Sequence, residues 1–217
     1  MTKLEGVLWD MDGVQVDTGE FHFQAWKTTL QDYDVPFSRE TFKRTFGMNN
    51  EGILKLLLGE RFTIDLYIRI SDQKEKNFRR AIRGKVQLLP GVKALMVALK
   101  DDSVPQAIAS SAPQENIDAI IRELKIQPYF KAVISAAKMP GKPDPSVFIV
   151  AAQELGVPPK GCVVIEDAIS GVEAARRAGM KCVAVTTTNA ATDLKDAHLV
   201  VESLSNVSVD DLKVLLD

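Results

Sequence analysis

Residues 4–9 form a short apolar run that stops abruptly at Asp10. Such a run predicts a buried strand feeding a polar loop. From about Thr18 to Gly84 the pattern becomes helical, with little strand character. Phe21, Ala25, Thr28 and Thr29 are expected on one helical face, and Ile53, Leu54, Leu56, Leu57 and Leu58 in a second helix. Tyr67, Ile68, Ile70 and Phe78 suggest a third, with Gly47, Gly59 and Gly84 as punctuation. After Leu89-Pro90-Gly91 the pattern changes again. Apolar runs at 106–109, 132–134, 162–165, 182–185 and 199–201 alternate with helical stretches at 92–100, 115–124, 145–155, 170–178 and 210–216.

Strand–helix alternation predicts a parallel sheet covered on both faces. The first strand has no neighbour in sequence to pair with, so it belongs to that sheet. The helical stretch is then an insertion. The expected fold is α/β, with a core of residues 1–16 and 88–217 and an α-helical cap at 17–87.

Composition narrows the class without naming a substrate. Of 217 residues, 46% are hydrophobic and 26% charged, an ordinary globular balance. A net charge of -2 gives no sign of a nucleic-acid or anionic-membrane partner. The start, MTKLEGVLWD, lacks the apolar segment of a signal peptide, and no stretch approaches the roughly 20 residues of a membrane span. Cys162 and Cys182 sit in apolar runs and read as reduced core thiols of a cytoplasmic protein. Oligomeric state leaves no mark; a monomer or weak dimer is the expectation.

The chemistry lies at the ends of the strands, where open parallel sheets carry their reactive loops. Asp10 and Asp12 follow the first strand, Ser110 and Ser111 the second, Lys142 the third, and Glu166 and Asp167 the fourth. Taken singly, each has a bland reading. Asp10-Met11-Asp12 is a turn device, Ser110-Ser111 an N-cap for the helix at Pro113, Lys142 a solvated loop lysine, and Glu166-Asp167 a helix N-terminus. Together, in this order and each at a strand end, they argue for one site. Four carboxylates at one rim suit a hard divalent cation, Mg²⁺ above all when a substrate phosphate completes its shell. A shielded carboxylate can attack phosphorus, with Asp10 as nucleophile and Asp12 as acid and base. Lys142, the Ser110 hydroxyl and backbone N–H groups can neutralise the transferring group. Gly13 is expected to turn the chain and expose amides to a phosphate.

The segment WDMDGVQVDT resembles the nucleophile motif of the haloacid dehalogenase superfamily. Ser110 in AIASSA, Lys142 in GKPDP and Glu166-Asp167 in VIEDAISGVEAA resemble its second, third and fourth motifs. The resemblance covers the whole chain. It implies a Rossmann-like core with a helical cap, and metal held by the Asp10 side chain, the Asp12 carbonyl and Asp167, with Glu166 assisting. Dehalogenase members lack the second aspartate, so Asp12 argues against halide chemistry.

The stretch DTGEFHFQAWK is similar to the β-phosphoglucomutase branch of the superfamily. That likeness implies substrate contacts from Thr18, His22, Trp26, Gly47 and Lys74, with Ser111 beside Ser110. From the residues alone, His22 is a surface or packing histidine, Trp26 is cap core and Lys74 a solvated lysine in a charged helix. Two departures stand out. Asn50 occupies the place of an arginine that grips a distal phosphate, and Ala112-Pro113 replaces a Ser-Lys pair. A neutral amide cannot form the charged fork of a guanidinium. Hydrolysis of a small phosphorylated metabolite, a sugar phosphate in the first place, is therefore expected ahead of a phosphosugar mutase. A non-catalytic metabolite-binding module is disfavoured by the intact Asp10, Asp12, Lys142 and Asp167.

Overall fold

A computed structural model of the chain describes residues 3–45 and 48–217. These divide into two compact units, one of residues up to 17 with 87–217, the other of residues 18–86.

The first unit is built on a parallel sheet. Its strands are β1 (Gly6–Trp9), β2 (Gln106–Ser110), β3 (Ala132–Ser135), β4 (Cys162–Glu166), β5 (Lys181–Val185) and β6 (Leu199–Val201), in the order β3-β2-β1-β4-β5-β6. Every residue of β1, β2 and β4 is buried, which explains why these strands read as unbroken apolar runs. Trp9 and Gln106, polar members of the core, are satisfied internally. Trp9 Nε1 donates to Gln106 Oε1 (3.1 Å), and Gln106 Nε2 donates to the Met96 carbonyl (2.9 Å). Leu8, Ala107, Ala109, Phe148, Val164 and Cys182 belong to one continuous apolar core. Both cysteines are buried and unpaired.

Helices α5 (Val92–Asp101), α6 (Gln114–Leu124), α7 (Ser146–Leu155), α8 (Ile169–Arg177) and α9 (Val209–Val214) accompany the sheet. The sequence pattern placed each within about two residues. The strand order reverses beside β1: the chain first builds outward to β2 and β3, then returns to β4 on the other side. The loops after β1 and β4 therefore flank a topological switch, the place where open α/β sheets form their clefts.

The second unit holds α1 (Gly19–Gln31), α2 (Arg39–Thr45), α3 (Asn50–Leu58) and α4 (Ile64–Ala81). Asn49 and Thr63 cap α3 and α4 through their side-chain oxygens, at 2.8 and 3.2 Å from the Gly52 and Leu66 amides. Trp26, Leu30, Ile53, Leu54, Leu58 and Ile70 form its core. The expected face of α1 needs correction. Phe23, Ala25, Trp26, Thr29 and Leu30 are buried, whereas Phe21 is half-buried and Thr28 exposed. Leu56 and Ile68 are exposed as well. The helix at 39–45 was not anticipated, since its segment RETFKRT shows no apolar stripe. Among the described residues no helix is long and apolar enough to cross a membrane.

Candidate active site

Strand register alone brings the acidic residues of the first unit together. Trp9 pairs with Ile165, and the Asp10 amide donates to the Ile165 carbonyl at 3.0 Å, so Asp10 stands beside Glu166. On the other side Trp9 pairs with Ile108, and Ser110 lies two residues farther along β2. Lys142, in the loop after β3, reaches back to this edge. Its Nζ donates to Asp10 Oδ1 (2.5 Å), to Glu166 Oε1 (2.5 Å) and, at 3.4 Å, to the Ala109 carbonyl. The peptide joining it to Pro143 is cis. Only 7% of the Lys142 side chain is exposed, so this is no solvated loop lysine.

The electrostatics follow from burial. Desolvation raises the Asp10 carboxyl to about 7; Lys142 opposes the shift, while the charges of Glu166 and Asp12 add to it. Asp167 is pushed to about 8, by burial first and then by Glu166 and Asp10. Burial by itself lowers the Lys142 ammonium, but the carboxylates of Asp10 and Glu166 outweigh it and hold the pKa above its ordinary value. Asp10, Glu166 and Asp167 are all buried, with Lys142 between Asp10 and Glu166. Ionising all three carboxylates against the one Lys142 ammonium would leave an excess of buried negative charge, which a divalent cation would offset.

The donor set fits Mg²⁺, which takes one or two carboxylates and fills its octahedron with water and phosphate oxygens. Asp10, Asp167 and the Asp12 carbonyl are the groups that would hold it. Glu166 was expected to assist, but its oxygens are already engaged. Oε1 faces Lys142, and Oε2 accepts from the Asp167 and Ala168 amides at 2.9 and 3.0 Å. These bonds tie Lys142 to the β4 loop. Among the described residues, no three His, Cys, Asp or Glu side chains are grouped to hold a metal ion.

Two further expectations are revised. Gly13 does turn the chain, with φ of 84°, yet its amide does not face outward: it donates to the Val16 carbonyl at 2.7 Å. The Val14, Gln15 and Val16 amides all return to the Met11 carbonyl, so the loop spends these donors on itself. Ser110 and Ser111 do not cap α6, whose N-cap is Pro113 without a side-chain bond. Ser110 is buried and its Oγ accepts from the Ala112 amide (3.1 Å), while Ser111 is exposed.

The helical unit carries a polar cluster of its own. Lys74, read as solvated, is only 3% exposed. Its Nζ contacts His22 Nδ1 (3.0 Å) and Glu75 Oε1 (2.8 Å), and it sits 5.3 Å from the Trp26 ring centroid. An ammonium only donates, so His22 Nδ1 is the acceptor and a neutral ring carries its proton on Nε2. His22 stacks on Phe78 at 4.0 Å between centroids. Asn50 Nδ2 donates to the same Glu75 oxygen at 2.7 Å. Burial raises the Glu75 carboxyl, but Lys74 and Asn50 outweigh it and leave the pKa below its ordinary value. Thr18 is buried just before α1, and Trp26 belongs to the unit's core. Gly47 lies outside the described residues. Sequence reasoning missed Glu75, because an acid in a charged helical run looks like surface.

It also missed Thr187, Thr188 and Asn189, in the loop after β5. Thr187 Oγ1 donates to the Gly13 carbonyl, Thr188 Oγ1 to Asp167 Oδ2, and Asn189 Nδ2 to the Asp167 carbonyl (2.9 Å).

Comparison with known proteins identifies the family. Residues 7–185 match the family model described as haloacid dehalogenase-like hydrolase. The chain is 33% identical over 215 residues to beta-phosphoglucomutase of Bacillus subtilis (strain 168), covering 95% of this chain and 93% of that protein. It is 30% identical over 185 residues to fructose-1-phosphate phosphatase YqaB of Escherichia coli (strain K12), covering 84% and 97%. The crystal structure of beta-phosphoglucomutase from Clostridium difficile superposes with a TM-score of 0.86 at 25% identity, covering 98% of this chain and 97% of that one. The chain belongs to the haloacid dehalogenase-like hydrolases.

Proposed function

We propose that the protein is a Mg²⁺-dependent phosphatase that takes a phosphoryl group from a small phosphate monoester, a sugar phosphate in the first place, onto Asp10. The observation carrying this reading is the Lys142 ammonium fixed 2.5 Å from both Asp10 Oδ1 and Glu166 Oε1 at the carboxyl edge of the sheet. An Asp10 oxygen attacks phosphorus, the ester oxygen leaves with a proton from Asp12, and an aspartyl phosphate remains. Asp12 then takes a proton from water, which attacks the same phosphorus, frees phosphate and restores the Asp10 carboxylate. Lys142 neutralises charge on the transferring group. Ser110, whose oxygen accepts from Ala112, keeps its own O–H for a phosphoryl oxygen. The divalent ion supplies electrostatic shielding between the Asp10 carboxylate and the phosphate.

A second reading, a phosphosugar mutase, is favoured by the 33% identity to the Bacillus subtilis enzyme. The cluster of the helical unit weighs against it. Asn50 is neutral and tied to Glu75, and the Glu75 carboxylate neutralises Lys74, so the cluster offers little net positive charge to a second phosphate. We place Thr18, His22 and Lys74 in recognition of the neutral part of the substrate.

Turnover of p-nitrophenyl phosphate with Mg²⁺ tests the reaction class. Asp10→Asn is expected to lower it by at least about a thousandfold while circular dichroism and Tm stay near wild type. A well-folded variant with near-normal rate refutes the nucleophile. Isomerisation of β-glucose 1-phosphate primed with bisphosphate, at a rate above hydrolysis, would select the mutase instead.

A further inference from the structure

The three consecutive side chains after β5 each bond to a loop that carries a proposed metal ligand. Thr187 holds the Gly13 carbonyl in the β1 loop, next to Asp12. Thr188 takes Oδ2 of Asp167, and Asn189 takes the carbonyl of the same residue at 2.9 Å. The packing is close. A Cβ on Gly13 would lie 1.9 Å from Asp167 Oδ2 and 2.8 Å from Thr188 Oγ1, so the β1, β4 and β5 loops meet there without slack. The strap starts at a fixed point, because the Thr186 amide is bonded to the Val201 carbonyl of β6 at 2.9 Å.

We infer that Thr187, Thr188 and Asn189 are positioning residues for the metal site, with Thr188 deciding which oxygen of Asp167 faces the ion. A carboxylate on a short side chain can rotate about its last bond. Fixing Oδ2 on a hydroxyl leaves Oδ1 as the single oxygen presented to a cation, and the Asn189 bond fixes the backbone from which it hangs. Thr187 does the same for the loop bearing the Asp12 carbonyl. Such outer partners of metal ligands commonly carry a large share of metal affinity. The inference rests on reading Asp167 as a ligand.

The test is Mg²⁺ binding to the whole protein by calorimetry and by the Mg²⁺-dependent rise in Tm. Thr188→Val removes the hydrogen bond at nearly constant volume and is expected to weaken Mg²⁺ binding about tenfold, with Thr188→Ser restoring it. In p-nitrophenyl phosphate turnover the loss falls on half-saturating Mg²⁺ more than on the plateau rate. Asp167→Asn serves as the reference and loses the Mg²⁺ response altogether. Wild-type Mg²⁺ affinity in Thr188→Val alongside its loss in Asp167→Asn overturns the strap and leaves the metal site standing. Unchanged affinity in both overturns the ligand assignment and the inference with it. If the valine lowers Tm in EDTA, Thr188→Ala, which only deletes atoms, provides the same comparison.

Discussion

At the scale of single residues, the site depends on space withheld as much as on groups supplied. Gly171, in the first turn of α8, faces Glu166: a Cβ there would lie 1.9 Å from Glu166 Oε1 and 2.0 Å from its Cδ. Glu166 cannot swing aside cheaply, because Lys142 and the Asp167 and Ala168 amides hold it. Gly171→Ala gains about 1 kcal/mol of helix propensity, yet it forces the carboxylate off its partners. Lys142 then loses one of its two carboxylate partners, and a displacement near 1 Å of such a group costs on the order of a hundredfold in rate. The expected outcome is a folded protein with turnover down by about that factor. Wild-type kcat in Gly171→Ala would show that Glu166 has no part in holding Lys142.

Elements differ in how visibly they announce themselves. Strands β1, β2 and β4 are legible because burial on both faces leaves an apolar run, and each run ends at the residue that carries chemistry. The edge strand β6 shows another device. His198 extends it by accepting the Cys182 amide on Nδ1 (3.2 Å) and donating its own amide to the Cys182 carbonyl (2.9 Å). Partial burial, with the charge of Lys181, lowers the His198 pKa from 6.5. A histidine whose folded pKa is depressed adds stability above its unfolded value and loses it as pH falls through the folded one. Urea unfolding at about pH 7.5 and about pH 5.5 should show the wild type losing stability relative to His198→Gln on the acid side, since the raised Asp10 and Asp167 carboxyls act equally in both proteins. An unchanged difference between the two proteins at both pH values would remove the histidine from the account. Helices were harder to read than strands. In α4 the run Asp72, Gln73, Lys74, Glu75, Lys76 looks solvated, yet Lys74 and Glu75 are buried against His22, 52 residues away from Lys74, and Asn50. Charge compensation across that distance leaves no local periodicity. Thr187 to Asn189 were silent for the same reason: hydroxyls and an amide after a strand resemble any turn until Asp167 is placed beside them.

For the molecule as a whole, residues 18–86 form an insertion between β1 and β2, and the chain crosses between units after Asp17 and after Val86. Within the sheet unit these crossings begin side by side. Val16 forms an antiparallel bridge with Leu88, and the Leu89 amide donates to the Gln15 carbonyl at 2.9 Å. Paired crossings are expected to act as one hinge rather than two independent tethers, because hinge residues absorb the φ/ψ change of domain closure. Closure matters to the proposed chemistry because water must be admitted for the second step and controlled during the first. Cysteines introduced at exposed Lys43 and Lys160 would report it through a pair of spin labels. The native thiols will not compete: burial raises Cys162 to about 12 and raises Cys182 as well, so both stay protonated and enclosed at neutral pH. Vanadate with Mg²⁺ is expected to shift and narrow the label–label distance distribution relative to the free protein. The same distribution in both states, under conditions where vanadate inhibits turnover, would mean that the units do not move for catalysis. Control of water would then fall to groups fixed within the sheet unit, with Asp12 the first to mutate.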